Sequence, residues 1–274
     1  MPELPEVETV RRQVAGALVG SRWTRITARP CSLFRTPAAE LTRRLAGARL
    51  TGATRRGKVL LLGFDGDRTL LVHLGMSGQL LLAPPAAPGA GHRHLVVDLD
   101  DGRTLVLRDP RRFGYVKLVA TSAAAGQPEL AQVGADPLDP ARNWEEFTRA
   151  FKARSGAVKP VLMTQSVFAG VGNVYADEIL FRARVRPQRA AADLTAIELK
   201  ELFHAVRAVL GEAIDLGGTS FDDAFTDLYG RPGLFGGRLR VYGRDGEPCP
   251  TCHTGLQPAT IGGRSSVFCP HCQK

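Results

Sequence analysis

Four cysteines near the C-terminus have the types and spacing of a metal site. Cys249 and Cys252 form one C-x-x-C pair, and Cys269 and Cys272 form a second, 16 residues beyond the first. That spacing fits a four-cysteine zinc module. Four thiolates close a tetrahedral shell, so the expected cofactor is one structural Zn2+ with no open catalytic position. Pro250 and Pro270 each follow the first cysteine of a pair and suit tight knuckle turns. The spacing does not say what the module binds, because zinc ribbons also mediate protein contacts.

The other end of the chain could do covalent chemistry. Met1 precedes Pro2, a small residue, so its removal is expected and would leave a free secondary amine. Such an amine can attack an aldehyde carbon and form an iminium ion. At the positive end of a helix it would resist protonation and stay nucleophilic. Glu3 beside it could act as acid or base. Proline and glutamate at a helix start also serve plain helix initiation, with no chemistry implied.

Three further clusters are basic or glycine-rich. Gly57-Lys58 heads a strand. His73-Leu74-Gly75-Met76-Ser77-Gly78 interrupts an apolar run with glycines, the mark of a bulge or tight turn. Asp109-Pro110-Arg111-Arg112-Phe113-Gly114 puts two arginines and an aromatic on another turn. Exposed Met76 and Phe113 beside Arg111 could wedge into a base stack, and both could equally be core. Gly170-Val171-Gly172-Asn173 falls between two helical segments. Its N–H groups could hold a phosphate at a helix start, or it could be a simple helix connection.

These residues need elements to hold them. Residues 3–19 read as a helix, with Val7, Val10, Val14 and Leu18 on one stripe. From 22 to 119 the texture is that of strands, with runs at 59–64, 69–74, 79–82, 95–99, 104–107 and 115–120. Turn signals separate them, as expected of a β-sandwich or barrel. Residues 84–91 read as a surface loop and 120–143 as a linker. Helical segments are expected near 144–154, 160–167, 173–184 and 195–216, the last with Leu199, Leu202, Phe203, Val206 and Leu210 in register. Gly217-Gly218 would end it. Residues 218–237 read as a long, mobile loop. No internal repeat is evident.

Composition bounds the class. The 274 residues are 44% hydrophobic and 23% charged, which excludes a disordered chain, and 30 Gly and 18 Pro show no collagen-like period. That length predicts two domains, or two plus a small module. No apolar run reaches the roughly 20 residues of a membrane helix, and the acidic start lacks the apolar stretch of a signal peptide. Of 36 basic residues 30 are arginine, and the net charge is +9. Arginine forks onto phosphate, which fits nucleic acid; anionic small substrates and the codon bias of a GC-rich genome fit as well. Metal-type cysteine spacing plus the solitary Cys31 points to a reducing compartment rather than a disulfide framework.

Taken in order, PELPEVETVRR at 2–12, HLGMSG at 73–78, DPRRFG at 109–114, VGN-YA at 171–176 and the four-cysteine module resemble the bacterial formamidopyrimidine-DNA glycosylases. The resemblance spans nearly the whole chain. It implies an α+β multidomain fold. An N-terminal helix and β-sandwich would form a catalytic domain over 1–130, a helix–two-turn–helix DNA-binding domain would cover 138–228, and a zinc finger 238–274. DNA would lie in the cleft between domains. It implies a bifunctional glycosylase and abasic-site lyase of base-excision repair that removes oxidised purines, 8-oxoguanine and formamidopyrimidines, with no redox cofactor. Pro2 would be the nucleophile, Glu3 would assist ring opening, Lys58 would donate a proton in β-elimination, and Arg264 would clamp a phosphate and assist δ-elimination. Asn173 would hold the same phosphate region. Met76, Arg111 and Phe113 would fill the vacated stack. His73, His92 and Arg154 match DNA-contacting positions, and Lys159, grouped with them, a position linked to lesion handling. The 218–237 segment would fold over the flipped base, although Phe221-Asp222-Asp223-Ala224-Phe225 departs from the family's charge pattern. The partner would be damaged double-stranded DNA, with no membrane, no obligatory protein partner and a monomeric, cytoplasmic enzyme. The rival readings are an endonuclease VIII-type enzyme for oxidised pyrimidines, a non-catalytic zinc-ribbon DNA-binding protein, and an N-terminal-proline tautomerase. Leu4 within PELPE and the intact Arg111–Phe113 pair favour the purine enzyme.

Overall fold

Helix α1 (Leu4–Leu18) forms where the apolar periodicity places it, and Val7, Val10, Val14 and Leu18 are all buried. The computed structural model describes residues 2–83, 91–221 and 224–274. Met1, most of the expected surface loop at 84–91, and Asp222 and Asp223 lie outside the described residues.

The strands are β1 (Trp23–Ala28), β2 (Leu50–Arg56), β3 (Val59–Phe64), β4 (Arg68–His73), β5 (Gln79–Ala83), β6 (Arg93–Leu99), β7 (Thr104–Arg108) and β8 (Tyr115–Val119). They pair antiparallel in two four-stranded sheets, ordered β1-β6-β7-β5 and β2-β3-β4-β8. Inward side chains of both sheets join α1 in one core, with Trp23 edge-on to Phe64 at 4.7 Å. This is the sandwich solution to sheets that are apolar on one face. The region read as all strand also contains helix α2 (Ala38–Leu45), which buries Ala38, Leu41 and Leu45.

An ion cluster ties α1 to β2. Arg11 and Arg12 of the helix and Arg55 of the strand all meet the Glu8 carboxylate, at 2.8 to 2.9 Å. Burial alone would raise that carboxyl. Hydrogen bonds from Arg11 and Arg12, with the charges of Arg55 and Arg11, bring it down to about 2.

The chain divides into two compact units. The first holds residues 1–131 and 216–236, and the second holds 132–215 and 237–274. The expected linker at 120–143 is only partly a linker. Residues Thr121–Gly126 form a 3-10 turn and Pro128–Ala131 a short helix, α3. Ala124 and Leu130 pack on Val59, Leu71 and Val119.

The second unit contains α4 (Trp144–Lys152), α5 (Val158–Leu162), α6 (Asn173–Arg182), α7 (Ala196–Asp215) and the hairpin β9 (Gln257–Ile261) and β10 (Arg264–Phe268). The Asn143 side chain caps α4 through the Glu146 N–H at 2.9 Å. Phe147, Phe151, Phe168 and Phe203 form an aromatic core. Helix α5 stops short of the expected 167. The Gln165 side chain accepts from the Gly170 N–H and donates to the Met163 and Val171 carbonyls, so it braces a turn in place of further helix.

The largest departure from expectation is residues 216–236. Their described part is held firmly to the first unit, through core and hydrogen bonds. Phe225 and Leu228 join the sandwich core. Asp227 accepts from Gln13 and Arg231, and Leu228 donates to Gln13 and accepts from the Leu82 N–H. Glycine and aspartate signal a loop in sequence, but they do not reveal which apolar residues find a core. Leu228→Ala should cost about 2–5 kcal/mol and lower the thermal midpoint. A wild-type melting curve would show that the segment is not part of the core.

Candidate active site and nucleic-acid interface

The first unit presents the N-terminal group at the start of α1. Pro2 is buried immediately before Glu3, the helix N-cap, which is 2% exposed. Glu6, also buried, joins two segments. Its Oε2 accepts the Glu3 N–H at 2.7 Å, the returning half of a capping box, and its Oε1 accepts the Thr219 N–H at 2.7 Å. A carboxylate therefore ties the first turn of α1 to the 216–236 segment. Gly218 permits the approach. It has φ +86°, and a Cβ there would lie 2.8 Å from Glu6 Oε1. The sequence signal for Glu6 is the capping-box spacing, an N-cap followed three residues later by glutamate.

Lys58 is half-buried in the two-residue turn between β2 and β3, where Arg56 pairs with Val59. Gly57 supplies the positive φ that such a hairpin requires. His73 ends β4 opposite Tyr115 of β8 and stacks on that ring at 5.3 Å. Its Nδ1 accepts the Gly75 N–H at 3.0 Å, so Nε2 carries the ring proton. Burial, then the charges of Lys58 and Arg35, lower its pKa to about 4 against a weaker pull from Asp109. It is a neutral donor at physiological pH.

The two glycine-bearing turns are pressed together. Fully buried Asp109 accepts from Ser77 Oγ at 2.7 Å and from the Gly114 N–H at 2.9 Å, and Ser77 Oγ accepts the Arg111 N–H at 3.2 Å. A Cβ on Gly75, at φ +62°, would fall 2.3 Å from the Gly114 nitrogen. This clamp holds Met76 at 37% exposure and Phe113 at 57%, which removes the reading of either as core. The Arg111 guanidinium lies over the Phe113 ring at 4.8 Å. His92 is exposed at φ +68°, and its carbonyl accepts the Asp109 N–H. Asp109 and Ser77 lie inside the two motifs, and their residue types alone do not mark them as the clamp.

The second unit carries the remaining residues. Asn173 is the first residue of α6, and its Nδ2 lies 3.4 Å from Ser265 Oγ. Arg264 is exposed at the start of β10, beyond a Gly262-Gly263 turn with both φ positive. Arg154 is exposed after α4, with Ser166 Oγ at 3.5 Å. Lys159 departs from expectation. Its side chain is fully buried, 2.9 Å from Asp177 and 2.6 Å from the Ser265 carbonyl, so it is not placed to touch a duplex. A lone lysine in sequence does not announce its buried counter-charge.

The four cysteine sulfurs lie within 4.8 Å of one another. A tetrahedral zinc thiolate site places its sulfurs about 3.8 Å apart, and Cys249–Cys272 is 3.9 Å and Cys252–Cys269 3.5 Å. The Thr251 and Cys272 N–H groups point at the first sulfur of their knuckles. The donor set fits one structural zinc ion.

Two outcomes follow from this geometry. Mercurial titration with a colorimetric indicator should release one zinc per chain, and the metal-stripped protein should melt earlier until zinc is restored; no released zinc would refute the site. For His73, the unfolded chain takes up a proton near pH 6.5 while the folded chain resists until about 4. Stability should therefore fall as pH drops through that window, by up to about one proton's dependence. His73→Phe should flatten that difference, and an unchanged pH slope would mean that the ring titrates normally.

The comparisons with known proteins agree along the whole chain. The formamidopyrimidine-DNA glycosylase N-terminal domain profile matches residues 1–116, the formamidopyrimidine-DNA glycosylase H2TH domain 133–224, and a zinc finger found in FPG and IleRS 246–274. The chain is 44% identical over 278 residues to the formamidopyrimidine-DNA glycosylase of Heliobacterium modesticaldum, and 42% identical over 278 to that of Novosphingobium aromaticivorans, covering all of each. Among solved structures it resembles the MutM (Fpg) protein of Thermus thermophilus, with TM-score 0.88, 40% identity and coverage of 99% and 98%. It also resembles the Lactococcus lactis Fpg complexed with DNA containing an abasic site, with TM-score 0.92, 32% identity and 99% of each chain. The chain belongs to the formamidopyrimidine-DNA glycosylase family.

Proposed function

We propose that this protein is a bifunctional DNA glycosylase and abasic-site lyase that excises oxidised purines, 8-oxoguanine and formamidopyrimidines, from duplex DNA. The observation that carries the reading is the buried Pro2–Glu3 pair at the head of α1, braced by Glu6. The target carbon is inaccessible inside a duplex, so the base must be flipped out. Met76, Arg111 and Phe113 have the exposure a wedge requires. With Met1 removed, the Pro2 amine attacks C1′ and the damaged base departs with the glycosidic electron pair. Glu3 supplies the proton that opens the sugar ring, leaving an iminium between Pro2 and C1′. The iminium acidifies the C2′ proton. Its loss expels the 3′ phosphate, and a second elimination expels the 5′ phosphate. Lys58 is the proton donor in the first. Arg264 neutralises phosphate charge in the second. His73, His92, Arg154 and Asn173 are assigned to contacts with the DNA backbone.

The partner is damaged double-stranded DNA. We assign a monomer, because one chain carries every residue of the scheme. Metal-type cysteines and a free Cys31 support a reducing, cytoplasmic setting. Among the described residues no helix is long and apolar enough to cross a membrane.

Borohydride trapping tests the chemistry. A duplex with 8-oxoguanine opposite cytosine should give a covalent adduct at Pro2, and an undamaged duplex none. An adduct chiefly on a dihydrothymine duplex would reassign the substrate to oxidised pyrimidines. No adduct despite tight binding would leave a DNA-binding protein without lyase chemistry. Arg264→Ala should keep the β-elimination product and reduce the δ-elimination product by on the order of 10-fold or more.

A further inference from the structure

The hairpin β9–β10 carries Arg264, and its placement rests on buried groups that the reaction scheme does not use. Helix α6 bears two consecutive buried carboxylates, Asp177 and Glu178. Asp177 accepts from Ser266 Oγ at 2.6 Å and from the Val267 N–H at 3.1 Å, and it pairs with Lys159 at 2.9 Å. Lys159 also donates to the Ser265 carbonyl at 2.6 Å. Three successive residues of β10, directly after Arg264, are thus held by one ion pair. Glu178 grips the chain on its way to the zinc module, accepting the N–H groups of Arg240, Val241 and Tyr242 at 2.9 to 3.0 Å. The hairpin's turn is pinned as well. Gly262, at φ +57°, lies so close to Pro160 that a Cβ would meet its ring at 2.8 Å, one residue from Lys159.

A buried ion pair is a poor way to gain stability, because desolvation offsets much of its attraction. It is a good way to fix register, because directional bonds to a single carboxylate are lost on a small displacement. The zinc site alone leaves this freedom open. It cross-links Cys249, Cys252, Cys269 and Cys272, all of them outside the turn and outside β10.

We propose that Lys159 and Asp177 are positioning residues, which seat β10 against α6 and thereby set where Arg264 meets the phosphate. The role of Arg264 rests on the function proposed above; the seating of β10 does not.

The test uses the full-length, zinc-loaded protein and the double variant Lys159→Met/Asp177→Asn. The two changes together avoid stranding a single buried charge, and asparagine keeps an acceptor for β10. Zinc content and a cooperative melt establish that the variant is folded; Asp177→Asn alone substitutes should the double variant not fold. Hydrogen exchange of the peptide spanning 262–268 should speed up, while that around Cys249–Cys252 stays slow. On a duplex with a preformed abasic site, borohydride trapping should stay within about twofold of wild type. The ratio of δ- to β-elimination product should fall by on the order of 10- to 100-fold, as a misplaced catalytic group predicts. Unchanged exchange at 262–268 overturns the proposal outright. Faster exchange with an unchanged product ratio overturns the link to Arg264. If Arg264→Ala itself leaves the ratio unchanged, the assignment of Arg264 fails, and the exchange result still decides the seating of β10.

Discussion

The first turn of a helix is ordinarily free to fray, and here its leading residues, Pro2 and Glu3, are buried. The constraint that dominates this structure is therefore the burial of α1. Four aliphatic side chains sink one face of the helix into the sandwich core. The Glu8 carboxylate, shared by three arginines, bolts the helix to β2. Neither feature is chemical, yet together they give Pro2 the rigidity of an interior residue. Glu6 extends the arrangement, because the carboxylate that completes the helix cap also holds the backbone of a distant segment.

The same device recurs at the 73–78 and 109–114 turns and in the second unit. Asp109 is fully buried and commits its two oxygens to neighbouring turns, so that Met76 and Phe113, which water disfavours, stay presented to it. Asp177 and Glu178 hold the two approaches to the zinc module. In each case one buried carboxylate, satisfied by several donors, replaces the larger apolar contact that a loop cannot make. Met76, Phe113 and Arg264 are exposed side chains on backbone whose neighbours buried bonds hold in place.

Much of this was legible in the sequence. The helix stripe Val7, Val10, Val14, Leu18 and the runs at 59–64 and 104–107 obey simple periodicities, and the cysteine spacing is close to unambiguous. What was not legible depends on pairing at a distance. Helix α2 is a short, charged AAELTRRL set within strands, and only its packing on β1 makes it a helix worth forming. Strands β1 and β2 mix arginine and threonine with few apolar residues, because their outer faces meet water. Lys159 resembles any other lysine until Asp177 is found beside it. Residues 216–236 carry every compositional mark of a loop, yet Phe225 and Leu228 complete a core begun at the other end of the chain.

That last feature bears on how the molecule is made. The first unit is discontinuous, drawing on residues 1–131 and 216–236. A ribosome delivers α1 and all eight sandwich strands long before it delivers Phe225 and Leu228. The nascent sandwich must wait with an unfilled gap while the whole helical stretch of the second unit emerges. Nor can the gene be cut once to yield two self-sufficient cassettes: a cut after residue 131 leaves the first unit without Phe225 and Leu228, and a cut after residue 236 separates the two stretches of the second. Residues 132–215 of the second unit are thus an insertion into the first, and the first can close its core only after that insertion has been made.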